Sequence, residues 1–268
     1  MELVPFKRAY IDAFLGSAAA EGWITDEWEL DFLLKSYPEG CFVALDAGQP
    51  TGFITAIKYA QSAWIGNLLV LPAFRRRGLG MALMEQVLRR LETSGTETVW
   101  LTASADGAHL YRTLGFTRID RVLRWRGVGV GTVNSIRPVS SAAAVCIDSL
   151  GWGDFRRLIF AAMPHTGSFF MTEDAFLIQT ATDSGQHIGP WGAASPKAAA
   201  ALLEAAMYGE GPSVELFLDA PETSHAAGEI LSARGFTVCG STLLMFKGRV
   251  PHYRPEYIYS LASMGSYG

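Results

Sequence analysis

Apolar and polar positions recur at two spacings along this chain, and the switches between them mark out its elements. From Lys7 to Glu21 the apolar residues fall at helical spacing, with Tyr10, Phe14 and Ala18 on one side. Thr25 is placed to cap a second helix, with Asp26 and Glu27 in its first turn, where carboxylates face the positive end of the helix dipole. Cys41 to Leu45 and Gly52 to Tyr59 predict two strands, joined as a hairpin through Asp46-Ala47-Gly48-Gln49-Pro50. An apolar run from Trp64 to Leu71 predicts the next strand, and Met81 to Leu91 a helix. Glu97 to Ala103 follows as a strand, Gly107 to Leu114 as a short helix and Thr117 to Trp125 as a strand.

Past that point the pattern loosens and then resumes. No helix opens after Gly127-Val128-Gly129-Val130-Gly131, and Thr132 to Val139 looks extended, so residues 128–132 are expected to be a linker. A helical region spans Ala142 to Met163 with a break at Gly151 to Gly153. Strands are expected at Ser168–Met171, Ala175–Thr182 and Gln186–Trp191. A helix runs from Pro196, a residue suited to the first helical position, to Tyr208. Val214–Leu218 is a strand, Ser224–Arg234 a helix and Thr237–Phe246 a strand. The tail carries Tyr253, Tyr257, Tyr259 and Tyr267. A polar coil has no use for four phenols, so the tail is expected to pack on a domain or across a domain junction.

The two halves repeat each other. Leu110-Tyr111-Arg112-Thr113-Leu114-Gly115-Phe116-Thr117 ends a helix and starts a strand, and Ile230-Leu231-Ser232-Ala233-Arg234-Gly235-Phe236-Thr237 does the same 120 residues later. In both, Gly closes the helix at a position that suits left-handed backbone. Each strand then ends in a basic residue and Gly, Arg126-Gly127 and Lys247-Gly248. Upstream, Ile65-Gly66 matches Ile188-Gly189 at an offset of 123, and Ala82-Leu83-Met84-Glu85 matches Ala201-Leu202-Leu203-Glu204 at an offset of 119. The second copy is therefore four residues shorter between these anchors.

The missing residues fall at the most informative stretch of the first copy, Val70-Leu71-Pro72-Ala73-Phe74-Arg75-Arg76-Arg77-Gly78-Leu79-Gly80. A strand, a basic glycine-containing turn and a helix make an anion-binding arrangement, because the helix start offers unpaired N–H groups and a positive dipole end. Gly78 and Gly80 let an anion reach the backbone. The loop lacks the Lys-Ser/Thr of a nucleoside-triphosphate loop, and Leu83 stands where a dinucleotide fingerprint needs its third Gly. The spacing Arg75-x-x-Gly78-x-Gly80 after Val70-x-Pro72 resembles the pyrophosphate arm of the GNAT superfamily of N-acetyltransferases. The second copy has Gly192-Ala193-Ala194-Ser195-Pro196-Lys197 there, with no Arg and no Gly-x-Gly.

The resemblance implies an α/β (α+β) fold of two tandem GNAT-like domains, each a mixed, mostly antiparallel sheet flanked by helices. The domains expected are 1–127, binding acetyl-CoA; a linker, 128–132; a degenerate copy, 133–248; and an aromatic tail, 249–268. It also implies an N-acetyltransferase that moves the acetyl group of acetyl-CoA to an amine by direct attack in a ternary complex. Leu69, Val70 and Leu71 would pair with the pantetheine arm, and a strand N–H there would face the oxyanion, a donor worth about 3 kcal/mol. Arg75, Arg76, Arg77, Gly78, Leu79, Gly80 and Met81 would hold the pyrophosphate, and Ser104 stands where the family often has Asn. Tyr111 sits where many of these enzymes carry a Tyr near the CoA sulfur. A phenol of pKa about 10 is a weaker acid than a thiol of about 8.5, so Tyr111 is expected to hydrogen-bond the departing sulfur rather than protonate it outright.

The family often has Ala where this chain has Gly107, and a Glu on the strand before the loop where it has Asn67, which cannot take a proton; the general base stays unassigned. His109, two residues from Tyr111 on a helix, points to a different face. The acceptor site would be bordered by Glu21 to Asp31, whose five carboxylates with Trp23 and Trp28 would suit a cationic amine. Asp26, Glu27 and Asn67 join the two Trp as candidate substrate contacts, against a plain alternative of a solvated acidic helix start with Trp28 in the core. The rival function is an acyl-CoA sensor that transfers nothing; a longer acyl donor is the other alternative.

Composition adds limits. The chain has 268 residues, 49% of them apolar, and a net charge of −4, which gives no call for nucleic acid. No run of 18 apolar residues and no signal-like leader is present, and Cys41, Cys146 and Cys239 are far apart and odd in number. That pattern fits reduced thiols in a cytoplasmic protein without a membrane partner. His165, His187, His225 and His252 are isolated and show no metal-ligand spacing. The acceptor, a small molecule or a peptide, and the oligomeric state stay open.

Overall fold

The structure is a computed structural model that describes residues 2–105, 107–132, 141–162, 167–182, 184–208 and 210–268. The chain forms two compact units. The first comprises Met1–Leu101, Lys247–Arg249 and Gly265–Tyr267, and the second Thr102–Phe246, Val250–Met264 and Gly268.

The first unit opens on strand β1 (Glu2–Pro5), a short element that the sequence pattern did not reveal. Helices α1 (Ile11–Ala20) and α2 (Glu27–Ser36) follow, then strands β2 (Phe42–Asp46), β3 (Gln49–Lys58) and β4 (Ser62–Val70). These four strands pair antiparallel in the order β1-β2-β3-β4. Helix α3 (Leu79–Thr93) then leads to β5 (Thr98–Ala103), which runs parallel to β4. The helical periodicity of α1 buries Ile11, Phe14 and Ala18, and Phe14 packs with Phe6 and Phe53 at ring distances of 5.4–6.0 Å. On α3 the apolar stripe Leu79, Leu83, Met84, Val87 and Leu91 faces the sheet.

The second unit contains α4 (Ala108–Thr113), β6 (Thr117–Thr132), α5 (Ser141–Trp152), α6 (Arg157–Ala162), β7 (Gly167–Met171), β8 (Ala175–Thr182) and β9 (Gly185–Ala193). It goes on through α7 (Pro196–Met207), β10 (Glu210–Pro221), α8 (His225–Ser232), β11 (Thr237–Gly248) and β12 (Ile258–Ser260). Its strand order is β11-β6-β10-β9-β8-β7, with β12 also paired to β9. Trp191, Leu203, Leu216, Leu231, Phe236 and Tyr259 are among the buried residues of its core.

The repeat is visible in the backbone. Gly115 and Gly235 both hold positive φ, +86° and +78°. Phe116 N–H donates to the Tyr111 carbonyl at 3.0 Å, and Phe236 N–H to the Leu231 carbonyl at 3.1 Å, closing the two helices in the same way.

Residues 128–132, expected to be a linker, are strand. β6 runs through to Thr132 and pairs with β10 from Val122 to Thr132. The glycines there serve close packing: a Cβ at Gly127 would lie 2.7 Å from the Phe236 ring, and one at Gly129 2.7 Å from Leu216. The helical region after it does break as expected, with Gly153 at φ +68°. Residues 133–139 of the expected extended stretch, Met163 and His165 lie outside the described residues. Of the tail, Tyr259 packs on Trp191 at 5.0 Å and Tyr253 on Trp152 at 5.8 Å.

Candidate functional site

β4 carries a bulge. Gly66 pairs with Thr55 and Leu69 with Phe53, so Asn67 and Leu68 face one residue of β3, and Asn67 adopts φ +54°. β4 pairs with β5 only from Ser62 to Trp64 and then continues to Val70, so its remaining edge has no β5 partner in that register. Leu69 is buried, while Val70 and Leu71 are half-buried. Leu71 lies just past the strand, and its N–H donates to the Thr51 carbonyl.

The loop after β4 is built for an uncapped helix start. A short 3-10 turn at Pro72–Phe74 reverses the chain. Arg76 and Gly78 both hold positive φ, +59° and +81°, and a Cβ at Gly78 would meet nothing within 4 Å. Gly78 precedes Leu79 in the N-cap position of α3, and no side chain caps that turn. The helix starts two residues earlier than its apolar period suggests, which brings Leu79, Gly80 and Met81 into the first turn with no acidic residue among them. Such a turn leaves backbone donors for an anion.

The three arginines divide their work. Arg75 donates to the Val70 carbonyl at 2.8 Å and pairs with Glu21, so it braces the loop. Arg76 is exposed, and Arg77 lies 5.5 Å above the Phe74 ring, also exposed.

In the second unit, Ser104 and Tyr111 come together around Gly107. The Gly107 N–H donates to Ser104 Oγ at 3.1 Å, and a Cβ on Gly107 would lie 3.2 Å from the Tyr111 ring. Tyr111 is 9% exposed and packs edge-on against Phe116. Burial pushes its phenol up to about 12, which strengthens the argument that it hydrogen-bonds a sulfur rather than giving up its proton. His109 is exposed.

The acidic segment of α1 and α2 is mostly spent on structure. Asp26, not Thr25, caps α2, accepting from the Glu29 N–H at 2.8 Å, as a carboxylate suits the dipole better than a hydroxyl. Glu27 and Asp31 pair with Arg8. Trp23 is exposed, and Trp28, half-buried, stacks on Phe32 at 5.6 Å. The carboxylate turned inward is Glu29, which sequence reasoning passed over. Thr25 donates to its Oε1 at 2.9 Å, and Ser266 Oγ donates to the same atom at 2.5 Å and contacts Asn67 Oδ1 at 3.2 Å. Asn67 Nδ2 donates to Thr55 Oγ1 at 3.1 Å.

The second repeat differs at both equivalent places. Ser195 caps α7, accepting from the Ala198 N–H at 3.3 Å and donating to Asp174 at 2.9 Å. β9 has the same bulge, between the Ile188 and Trp191 pairs, and pairs with parallel β10 only at Gln186 and His187. There the edge is filled: β12 pairs with β9 at Trp191 and Gly192, and Leu261 N–H donates to the Asp219 carbonyl of β10 at 2.8 Å.

Among the described residues no group of three or more His, Cys, Asp or Glu could hold a metal ion, and no helix is long and apolar enough to cross a membrane. Cys41, Cys146 and Cys239 are free.

Comparison with known proteins agrees with this geometry. Residues 6–116 match the acetyltransferase (GNAT) family, and residues 147–260 match an acetyltransferase (GNAT) domain. The chain is 32% identical over 116 residues to N-alpha-acetyltransferase 30 of Dictyostelium discoideum, covering 41% of this chain and 63% of that protein. It is 36% identical over 72 residues to the [ribosomal protein bS18]-alanine N-acetyltransferase of Escherichia coli K12, covering 26% and 49%. The chain thus spans about half the length of the curated relatives it matches. A solved protein of Pyrococcus horikoshii superposes with a TM-score of 0.84 at 21% identity, over 100% of this chain and 95% of that one. A GCN5-related N-acetyltransferase of Sphaerobacter thermophilus superposes at 0.58 with 14% identity, over 97% and 98%; both likenesses show the fold. With two matched domains that together span most of its length, the chain belongs to the GNAT acetyltransferases as a tandem of two such domains.

Proposed function

We propose that this protein is an acetyl-CoA-dependent N-acetyltransferase whose cofactor site lies in the first repeat alone. The observation that carries this reading is the uncapped α3 start at an open Gly78, set against the capped α7 and the β12-filled β9 edge of the second repeat; among the described residues the β4 edge has no such strand and meets the tail through the Asn67 N–H to Gly265 carbonyl bond. GNAT enzymes use acetyl-CoA. Here the N–H groups of Leu79, Gly80 and Met81, with Arg76 and Arg77, would hold its pyrophosphate. The backbone of Leu69, Val70 and Leu71 would hold the pantetheine arm, with Arg75 keeping Val70 in place. When bound, the thioester supplies an activated acyl carbon. The chain's part is to orient it, to offer a backbone donor to the oxyanion and, through Tyr111, to hydrogen-bond the leaving sulfur.

The relatives' names, N-alpha-acetyltransferase and alanine N-acetyltransferase, support an α-amino group as the acceptor. The test is calorimetric titration of the full chain with acetyl-CoA, followed by thiol release in the presence of amines. One site per chain is expected. Two sites would mean that the second repeat still binds, and no binding would overturn the reading.

A further inference from the structure

Glu29 is a carboxylate folded into the interior of the first unit at 8% exposure. Among the described residues no Lys, Arg or His pairs with it; Arg8 is spent on Glu27 and Asp31. The titratable groups near it are Asp26 on its own helix and the Tyr267 phenol, with Tyr59 beyond, whose hydroxyl donates to the Tyr267 carbonyl. The tail closes over this place. The Asn67 N–H donates to the Gly265 carbonyl at 3.0 Å, and a Cβ on Gly66 would lie 2.4 Å from that oxygen.

The polar groups there are unevenly matched. The Ser266 hydroxyl has one hydrogen, and two acceptors face it, Glu29 Oε1 at 2.5 Å and Asn67 Oδ1 at 3.2 Å. Asn67 Nδ2 donates to Thr55 Oγ1, and the same side chain hydrogen-bonds Glu29. A nitrogen bearing two or three hydrogens would satisfy both acceptors at once, which a hydroxyl cannot. The spot is on the β4 bulge, two residues before the Leu69 backbone assigned above to the thioester arm.

Resting on the acetyltransferase reading, we propose that Glu29 takes the proton of the acceptor amine, and that Ser266 Oγ marks the position the amine nitrogen occupies once the acceptor displaces Gly265–Tyr267. The amine lone pair attacks the thioester carbon and forms the C–N bond. An N–H proton passes to Glu29, and the C–S bond breaks with its electron pair on sulfur. Glu29 then returns its proton to water, from which the thiolate regains one. The carboxylate expected on β4 is thus supplied from α2 and aimed at Asn67.

Burial raises the Glu29 carboxyl to about 7, the Asp26 charge adds to the rise, and the hydrogen bonds of Ser266, Thr25 and Asn67 oppose it. A base of that strength suits an α-ammonium of pKa about 8. It falls roughly three powers of ten short of a lysine-type ammonium at about 10.4. This agrees with the α-amino acceptor that the relatives' names support.

The experiment is steady-state thiol release by the full chain with alaninamide and with n-butylamine, from pH 5.5 to 9.5, alongside acetyl-CoA calorimetry and melting curves. The wild-type kcat should rise through a limb near pH 7, with alaninamide preferred at least tenfold. Glu29→Gln should lose the limb and at least 100-fold in kcat while binding acetyl-CoA as before. Ser266→Ala should lower the KM for alaninamide at least threefold. A Glu29→Gln variant within threefold of wild-type kcat, with the limb intact, overturns the assignment and leaves the enzyme reading standing, as would a merely helix-capping Glu29 that moved the melting temperature alone. A raised KM in Ser266→Ala overturns the place given to the nitrogen. No acetyl-CoA binding, or no thiol release with either amine, overturns the enzyme reading and this inference with it.

Discussion

The two repeats meet the same structural problem with opposite solutions. Each has a bulged strand that leaves its parallel neighbour after two or three paired residues, and each strand feeds a helix. In the second repeat the chain completes itself: Ser195 caps α7 and β12 fills the strand edge. In the first repeat the equivalent helix begins at a left-handed Gly78 with no side-chain cap, and among the described residues the equivalent edge has no such strand, the tail meeting it through the Asn67 N–H to Gly265 carbonyl bond. On the proposed assignment of the cofactor to the first repeat, loss of such a site needs no change of fold: one serine and a three-residue strand would supply internally what a ligand would otherwise supply.

Four measurements break or sharpen this contrast. The largest effect is expected from Gly80→Glu, which sets a carboxylate in the first turn of α3, where the pyrophosphate is assigned. Acetyl-CoA affinity by calorimetry should fall at least 100-fold, and an affinity within threefold of wild type would remove the first repeat's claim to the cofactor.

The second measurement is pH-dependent and runs in opposite directions in the two repeats. Glu29, with its carboxyl raised from 4.5 to about 7, gives the first repeat stability that is full below pH 4.5 and is lost as pH rises through 7. His187 is lowered from 6.5 to about 4 by burial, with the Arg124 charge adding and Asp219 opposing. Its contribution is full above pH 6.5 and is lost as pH falls through 4. Each is on the order of 3 kcal/mol. Hydrogen exchange should therefore show α2 and β4 loosening as pH rises from 4.5 to about 7 and β9 loosening as pH falls from 6.5 to about 4; parallel behaviour in both would contradict it.

Third, Tyr111→Phe should lower kcat roughly 10- to 100-fold at unchanged acetyl-CoA affinity. Unchanged turnover would remove the hydroxyl from the chemistry, and binding without turnover in the wild type would favour a sensor. The smallest effect is Ser195→Ala, expected to cost about 1 kcal/mol of unfolding free energy through loss of the α7 cap. A denaturation midpoint equal to wild type would show that the cap is not what closes the second helix start.

Much of this was legible in the residues. Gly115 and Gly235 marked matching helix ends because the left-handed position selects Gly almost alone. Arg75-x-x-Gly78-x-Gly80 marked the turn between β4 and α3, where Arg76 and Gly78 hold positive φ. What stayed hidden depended on distant partners. β1 is four residues long with a Pro, too short for a period to show. The Gly-Val alternation after Gly127 looked like a linker because its glycines answer to Phe236 and Leu216, far along the chain. β12 has three residues and takes its meaning from β9. Glu29 looked like one more solvated acid of a helix start, because the partner that singles it out, Ser266, comes 237 residues later.

That separation has a consequence for synthesis. Residues 265–267 belong to the first compact unit, so the ribosome must make nearly the whole second unit before the first can finish folding. Until then Asn67 and Glu29 lack the tail that covers them, and the strand edge of β4 is open to other chains. Closing so long a loop is slow. The nascent first repeat is therefore the stage of biogenesis most in need of a chaperone.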